Sequence, residues 1–115
     1  MSQYLLSIFH GEGAPPPTEV LSETMQRVGT LNQELQSAGA WVFAGGLNPS
    51  TTAITFRPEE GGLAETEGPF NHDEVPLSGC WIIDVKDLDA ALEWGRKAAT
   101  ACGLPVEVRS FQDMA

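Results

Sequence analysis

Positive charge is scarce in this chain. Its 115 residues carry six Lys and Arg against sixteen Asp and Glu, a formal net charge of -10, and the cations Arg27, Arg57, Lys86, Arg96, Lys97 and Arg109 form no run. A surface of that sign repels nucleic-acid phosphates and anionic membranes, so neither is expected as a partner. Long apolar runs are missing as well. No segment approaches the roughly 18 apolar residues that span a bilayer, and the opening Met1-Ser2-Gln3-Tyr4 lacks a basic stretch leading into an apolar one. The expectation is a cytoplasmic protein. Cysteine is limited to Cys80 and Cys102, with no second Cys or His at metal-ligand spacing around either. Two buried or half-buried free thiols are the simple reading, and a disulfide or a catalytic thiol the more demanding one. The chain also lacks a phosphate-cradling glycine motif and a Ser or Cys nucleophile elbow, so no metal and no cofactor is expected.

What is present is enough apolar matter for one ordinary core. The chain is 42% hydrophobic with three Trp and five Phe, and a single domain over residues 1–115 should bury roughly 65% of the surface its unfolded chain exposes. An aromatic and aliphatic run over residues 4–9 reads as a strand that ends at His10-Gly11-Glu12-Gly13. Leu21, Met25, Val28, Leu31, Leu35 and Ala38 recur at steps of four and three, one stripe of a helix that Gly39 stops. Residues 41–44 form a short strand and residues 51–57 a β-branched one, which turns at Pro58-Glu59-Glu60-Gly61-Gly62 and returns through residues 63–66. Residues 71–76 read as an irregular acidic connection. Residues 80–85 are the strongest strand, apolar on both faces. Asp87 caps a second helix with Leu88, Ala91, Leu92, Gly95, Ala99 and Cys102 on its inner stripe, Gly103 and Pro105 end it, and residues 106–111 are the last strand. This order predicts an α+β domain, an antiparallel sheet with two helices on one face. The other face is left bare, and a second copy of the chain, in a homodimer, is the expected cover.

Candidate chemistry is sparse. His10 stands at a strand end beside glycines, where it could exchange protons near neutral pH or be an exposed loop histidine. Glu67 precedes Gly68-Pro69, which would set a sharp turn and aim the carboxylate into a cleft or back on the turn. Phe70 follows as a packing or ligand-facing ring. His72-Asp73 has the composition of a base with an orienting acid, although neighbours in extended chain point apart. Asp84 interrupts an apolar strand face and needs either a hydrogen bond, such as a cap on the next helix, or water. Trp41, Trp81 and Trp94 could line a pocket for a flat organic molecule or fill the core.

The stretch Glu67-Gly68-Pro69-Phe70, followed by Gly79-Cys80-Trp81-Ile82-Ile83-Asp84-Val85-Lys86-Asp87-Leu88 and Val106-Glu107-Val108-Arg109, resembles the DGPF branch of the YCII-related family. The N-terminal Tyr4-Leu5-Leu6-Ser7-Ile8 and the approach to Gly45-Gly46-Leu47 are similar too. The resemblance implies a ferredoxin-like fold that dimerises into a shared α+β barrel. Some relatives carry a His-Asp pair regarded as catalytic, and at least one is a dehydrochlorinase. Here the first helix has no His, Val28 stands near its expected place, and Glu67 replaces the Asp of DGPF. The expectation is therefore a small dimeric protein that binds an uncharged or cationic small molecule near Glu67, Phe70 and Trp81 without strong catalysis. The alternatives are a lyase or isomerase using His10 or His72 with Glu67 or Asp73, and an acidic module docking on a basic protein.

Overall fold

The strongest strand of the sequence lies in the middle of the sheet. The computed structural model describes residues 1–112. Along the chain run β1 (Ser2–Phe9), α1 (Thr18–Ser37), β2 (Trp41–Gly46), a 3-10 turn (Ser50–Thr52), β3 (Ile54–Glu59), β4 (Gly62–Glu67), β5 (Leu77–Val85), α2 (Leu88–Cys102) and β6 (Val106–Ser110). Four strands form one antiparallel sheet in the order β2-β5-β1-β6, and β3 and β4 pair only with each other. Without the hairpin, the order β1-α1-β2-β5-α2-β6 on this sheet is the ferredoxin-like arrangement.

Register decides which residues share a face, because cross-strand partners point the same way. Tyr4 pairs with Ile83, Leu6 with Trp81, and Leu6 again with Val108 on the other side. This set faces the helices and forms the core with Leu31, Leu35, Ala91, Ala98 and Ala101. Small residues let α2 lie close to the sheet. A Cβ on Gly95 would come within 2.5 Å of Val108 Cγ2, so no larger residue fits that crossing without displacement. Local signals set the helix ends: Asp87 Oδ1 accepts from the Ala90 N–H at 2.9 Å, and Gly39 and Gly103 adopt φ of 71° and 69°.

Leu5, Ser7, Phe43, Cys80, Ile82, Asp84, Glu107 and Arg109 lie on the opposite face by the same register, and no helix covers them. One layer of helices on one sheet accounts for a thickness of only 17 Å. The radius of gyration is 16.4 Å, where a compact domain of about this length has roughly 13 Å. Both cysteines are free and half-buried. Among the described residues no helix is long and apolar enough to cross a membrane.

The hairpin is an arm. Its strands join at Glu60-Gly61, with Gly61 at φ 92°, a conformation that glycine adopts without steric cost. Ile54 with Glu67, Phe56 with Glu65, and Pro58 with Leu63 share one face; Thr55 with Thr66 and Arg57 with Ala64 share the other. Its base is tied by Gly68 N–H to Ala53 O at 2.6 Å and Thr55 Oγ1 to Gly68 O at 2.8 Å.

Several expectations change, among them Leu88, which the α2 stripe puts inside and which is 52% exposed. The strand expected from residue 51 begins at Ile54, because Ser50–Thr52 forms a 3-10 turn in which Thr52 bonds Pro49 O through both its amide and its hydroxyl. Of the stripe on α1, Leu31 and Leu35 are buried while Leu21 and Met25 are exposed, since the first turns of the helix find no layer to pack against. Asp84 caps nothing: Asp87 does that, and Asp84 Oδ1 is buried without a hydrogen-bond partner.

Candidate functional site

The exit of β4 builds a polar hollow. Gly68 takes φ 109°, which swings the chain out of the hairpin and starts the irregular segment that leads to β5. Glu67, Gly68, Pro69, His72, Asp73 and Glu74 line one side of a cleft of about 520 Å³, and Ser50 and Thr51 of the 3-10 turn line the other. His72 also borders a smaller hollow of about 90 Å³ with Phe70, Pro69, Thr55, Thr66 and Arg57. Phe70 therefore leans toward the Thr55 and Arg57 face of the arm.

One wall of the cleft is held from a distance. Glu12, in the loop after β1, accepts hydrogen bonds from both the hydroxyl and the amide of Ser50. Those bonds stabilise the ionised carboxylate and hold the Glu12 pKa below its ordinary value of 4.5. No local pattern could reveal this pairing, since 38 positions separate the partners.

The candidate residues do not all meet. Glu67, His72 and Asp73 line the acidic cleft, and Phe70 lies in the adjoining hollow. His72 and Asp73 share the cleft, yet no hydrogen bond joins their side chains among the described residues. His10 is exposed at the end of β1, where its backbone N–H donates to Pro76 O at 3.1 Å. That bond pins the segment before β5 beside the first loop. Trp81 lies elsewhere: it is on the helix-facing side of β5, buried, with its Nε1–H donated to Asn32 Oδ1 at 2.8 Å. The ring expected beside Glu67 and Phe70 belongs to the core and to a different cavity. Trp94 lies under the Lys97 ammonium, 4.9 Å from the ring centre. Among the described residues no three His, Cys, Asp or Glu side chains are grouped to hold a metal ion.

Comparison with known proteins agrees with the topology. The chain matches the YCII-related domain over residues 3–112. It is also 30% identical over 77 residues to an uncharacterized protein of Rhizobium meliloti (strain 1021), a match covering 67% of this chain and 62% of that protein. The chain thus spans less than two thirds of this relative's length. With a ferredoxin-like sheet and a domain match over nearly every described residue, the chain belongs to the YCII-related family.

Proposed function

We propose that this YCII-related protein is a homodimer that binds a small cationic or polar uncharged molecule in the cleft at Glu67-Gly68-Pro69-Phe70, without strong catalysis. The observation that carries this reading is that three acidic residues, Glu67, Asp73 and Glu74, line one cleft together with Ser50 and Thr51. None of these carboxylates takes part in an ion pair among the described residues, so each keeps its acceptor capacity for a ligand. Exposed ion pairs contribute about 0–1 kcal/mol each, which makes such binding weak and sensitive to salt. The lack of a hydrogen bond between His72 and Asp73 favours holding a ligand over transferring its proton, because a general base works through an aligned partner.

The dimer is supported by surface that one chain leaves uncovered. Ile54, Phe56 and Leu63 share the outer face of the arm at 58%, 58% and 70% exposure. A two-stranded hairpin alone is marginal in water, and contiguous apolar surface of this kind is characteristic of interfaces.

Calorimetric titration with benzyltrimethylammonium tests the cleft. Saturable binding that weakens several-fold in Glu67→Gln and fades with added salt is the expected result. Binding unchanged in Glu67→Gln, or equal binding of benzoate, contradicts the reading.

A further inference from the structure

A second cavity, of about 390 Å³, lies between the sheet and the C-terminal half of α1, and it shares no residue with the acidic cleft. Val28 and Asn32 of α1 form its roof, Trp41 and Ala44 of β2 one wall, and Trp81 of β5 and Leu104 after α2 the other. Gly46 and Gly79, cross-strand partners at its edge, add no side chain to it. At Gly79 the glycine is required by the sheet itself: a Cβ there would meet Gly45 O at 2.8 Å.

The chemistry of the wall restricts what can enter. No Asp, Glu, Lys, Arg or His lines it, although the chain has a net charge of -10. A charged ligand would lose its hydration there with nothing to replace it. Two of the polar groups are already engaged. Ser78 Oγ donates to Ile8 O at 3.2 Å, and Trp81 Nε1–H donates to Asn32 Oδ1 at 2.8 Å. An indole N–H is only a donor, so the atom of Asn32 that meets it must be the carbonyl oxygen. That fixes the orientation of the Asn32 amide and leaves its NH2 group without a partner among the described residues. Asn32 lines the cavity, which makes that NH2 group the donor nearest to a molecule bound there. The wall therefore offers indole and aliphatic surface, with Cys80 and Cys102 beside it and a hydrogen-bond donor fixed in place by a tryptophan.

We propose that this cavity is a ligand site for an uncharged aromatic molecule of one or two rings bearing a carbonyl or equivalent acceptor, which the Asn32 amide NH2 binds. The volume lies at the lower end of the 300–1,000 Å³ typical of ligand pockets, and suits that size. Trp41 and Trp81 supply ring contact and Asn32 supplies orientation. The two sites share no lining residue, so they stand or fall separately.

The test is an NMR titration of the full chain with acetophenone, using benzoate and benzylammonium as charged probes of similar size. Saturable shifts of the Trp81 indole N–H and the Asn32 side-chain NH2 are expected with acetophenone and not with either ion. Asn32→Asp keeps an oxygen for Trp81 and removes the donor, so acetophenone affinity should fall about tenfold, the worth of one hydrogen bond of ordinary strength. Val28→Phe, which fills the cavity from α1 and leaves the Asn32 to Trp81 bond alone, should abolish the shifts. Wild-type affinity in both variants, shifts confined to residues 67–74, or no saturable shift at millimolar acetophenone would each overturn the proposal.

Discussion

The four-stranded sheet and the β3–β4 arm are both antiparallel and both alternate along their strands, yet they hold their register by different means. In the sheet, a slip of one residue would turn Leu6, Trp81 and Ile83 away from the helices and expose Leu5, Ser7 and Ile82 to them instead, so burial itself fixes the pairing. In the arm the apolar set Ile54, Phe56 and Leu63 lies in water, and burial within one chain specifies nothing. There the pairing rests on the two-residue turn at Glu60-Gly61 and on the ties of Gly68 to Ala53 and Thr55. The same alternating pattern is thus a core in one region and an unsatisfied surface in the other. The difference lies in whether a helix follows the strand closely enough to fold back over it.

That contrast is broken most directly by truncating one apolar side chain in each region. Ile83 is fully buried, and Ile83→Ala should cost about 2–5 kcal/mol, the transfer of its removed carbons plus the cavity they leave. Phe56→Ala under conditions where the chain is monomeric should change stability by about 0.5 kcal/mol or less, since an exposed ring has little packing to lose. Urea unfolding of the two variants gives both numbers. Equal losses would mean that the arm is already packed against its own chain.

The arm's apolar face supplies the next comparison. Phe56→Asp puts a carboxylate beside Glu65, its cross-strand partner, on the surface proposed to meet the second copy. Sedimentation should show the dimer weakened by about 2 kcal/mol or more, roughly 30-fold in Kd, while the helix-covered sheet keeps its unfolding midpoint in the monomer. A monodisperse monomer of the unaltered chain at micromolar concentration would remove the dimer altogether. Unaltered dimerisation of the variant would move the interface from the arm to the bare face around Leu5 and Ile82.

The same division explains what could be read from the sequence. Helix ends were legible because the causes are local: Asp87 three residues before Ala90, and Gly39 and Gly103 just past the last turns. The bare sheet face was legible because Cys80 and Ile82 alternate with Trp81 and Ile83, and period two leaves no other reading. Periodicity does not tell where a neighbouring layer stops, so the stripe on α1 holds at Leu31 and Leu35 and is too long at Leu21 and Met25 and again at Ala38. The sequence also could not show that the hairpin leaves the sheet, because pairing partners are chosen by tertiary packing. Around the candidate site the limits are sharper. Glu67, His72 and Asp73 gather because they follow one another around a glycine-proline turn. Trp81 does not join them, because alternation on β5 turns it to the helices, where Asn32, 49 positions earlier, accepts its hydrogen bond.

The smallest effect expected is at the hinge between the two regions. Glu12 reaches from the loop after β1 to Ser50, just ahead of the arm, and its pKa is lowered by the Ser50 hydroxyl and amide bonds. A carboxyl whose pKa is lower folded than unfolded contributes stability at pH above the unfolded value and loses it as the pH falls through the folded one. The tie should therefore hold fully above the ordinary value of 4.5 and release below it. Glu12 is fully exposed, so the release should be local, an adjustment at the root of the arm with the sheet unmoved. Followed by NMR, the Ser50 amide and the first residues of β3 should titrate together with an inflection below 4.5, and Leu6 and Ile83 should not. In Glu12→Ala the inflection should vanish. An inflection that persists in that variant would assign the titration to the cleft carboxylates, and one spreading to Leu6 and Ile83 would mean that arm and sheet loosen as one body.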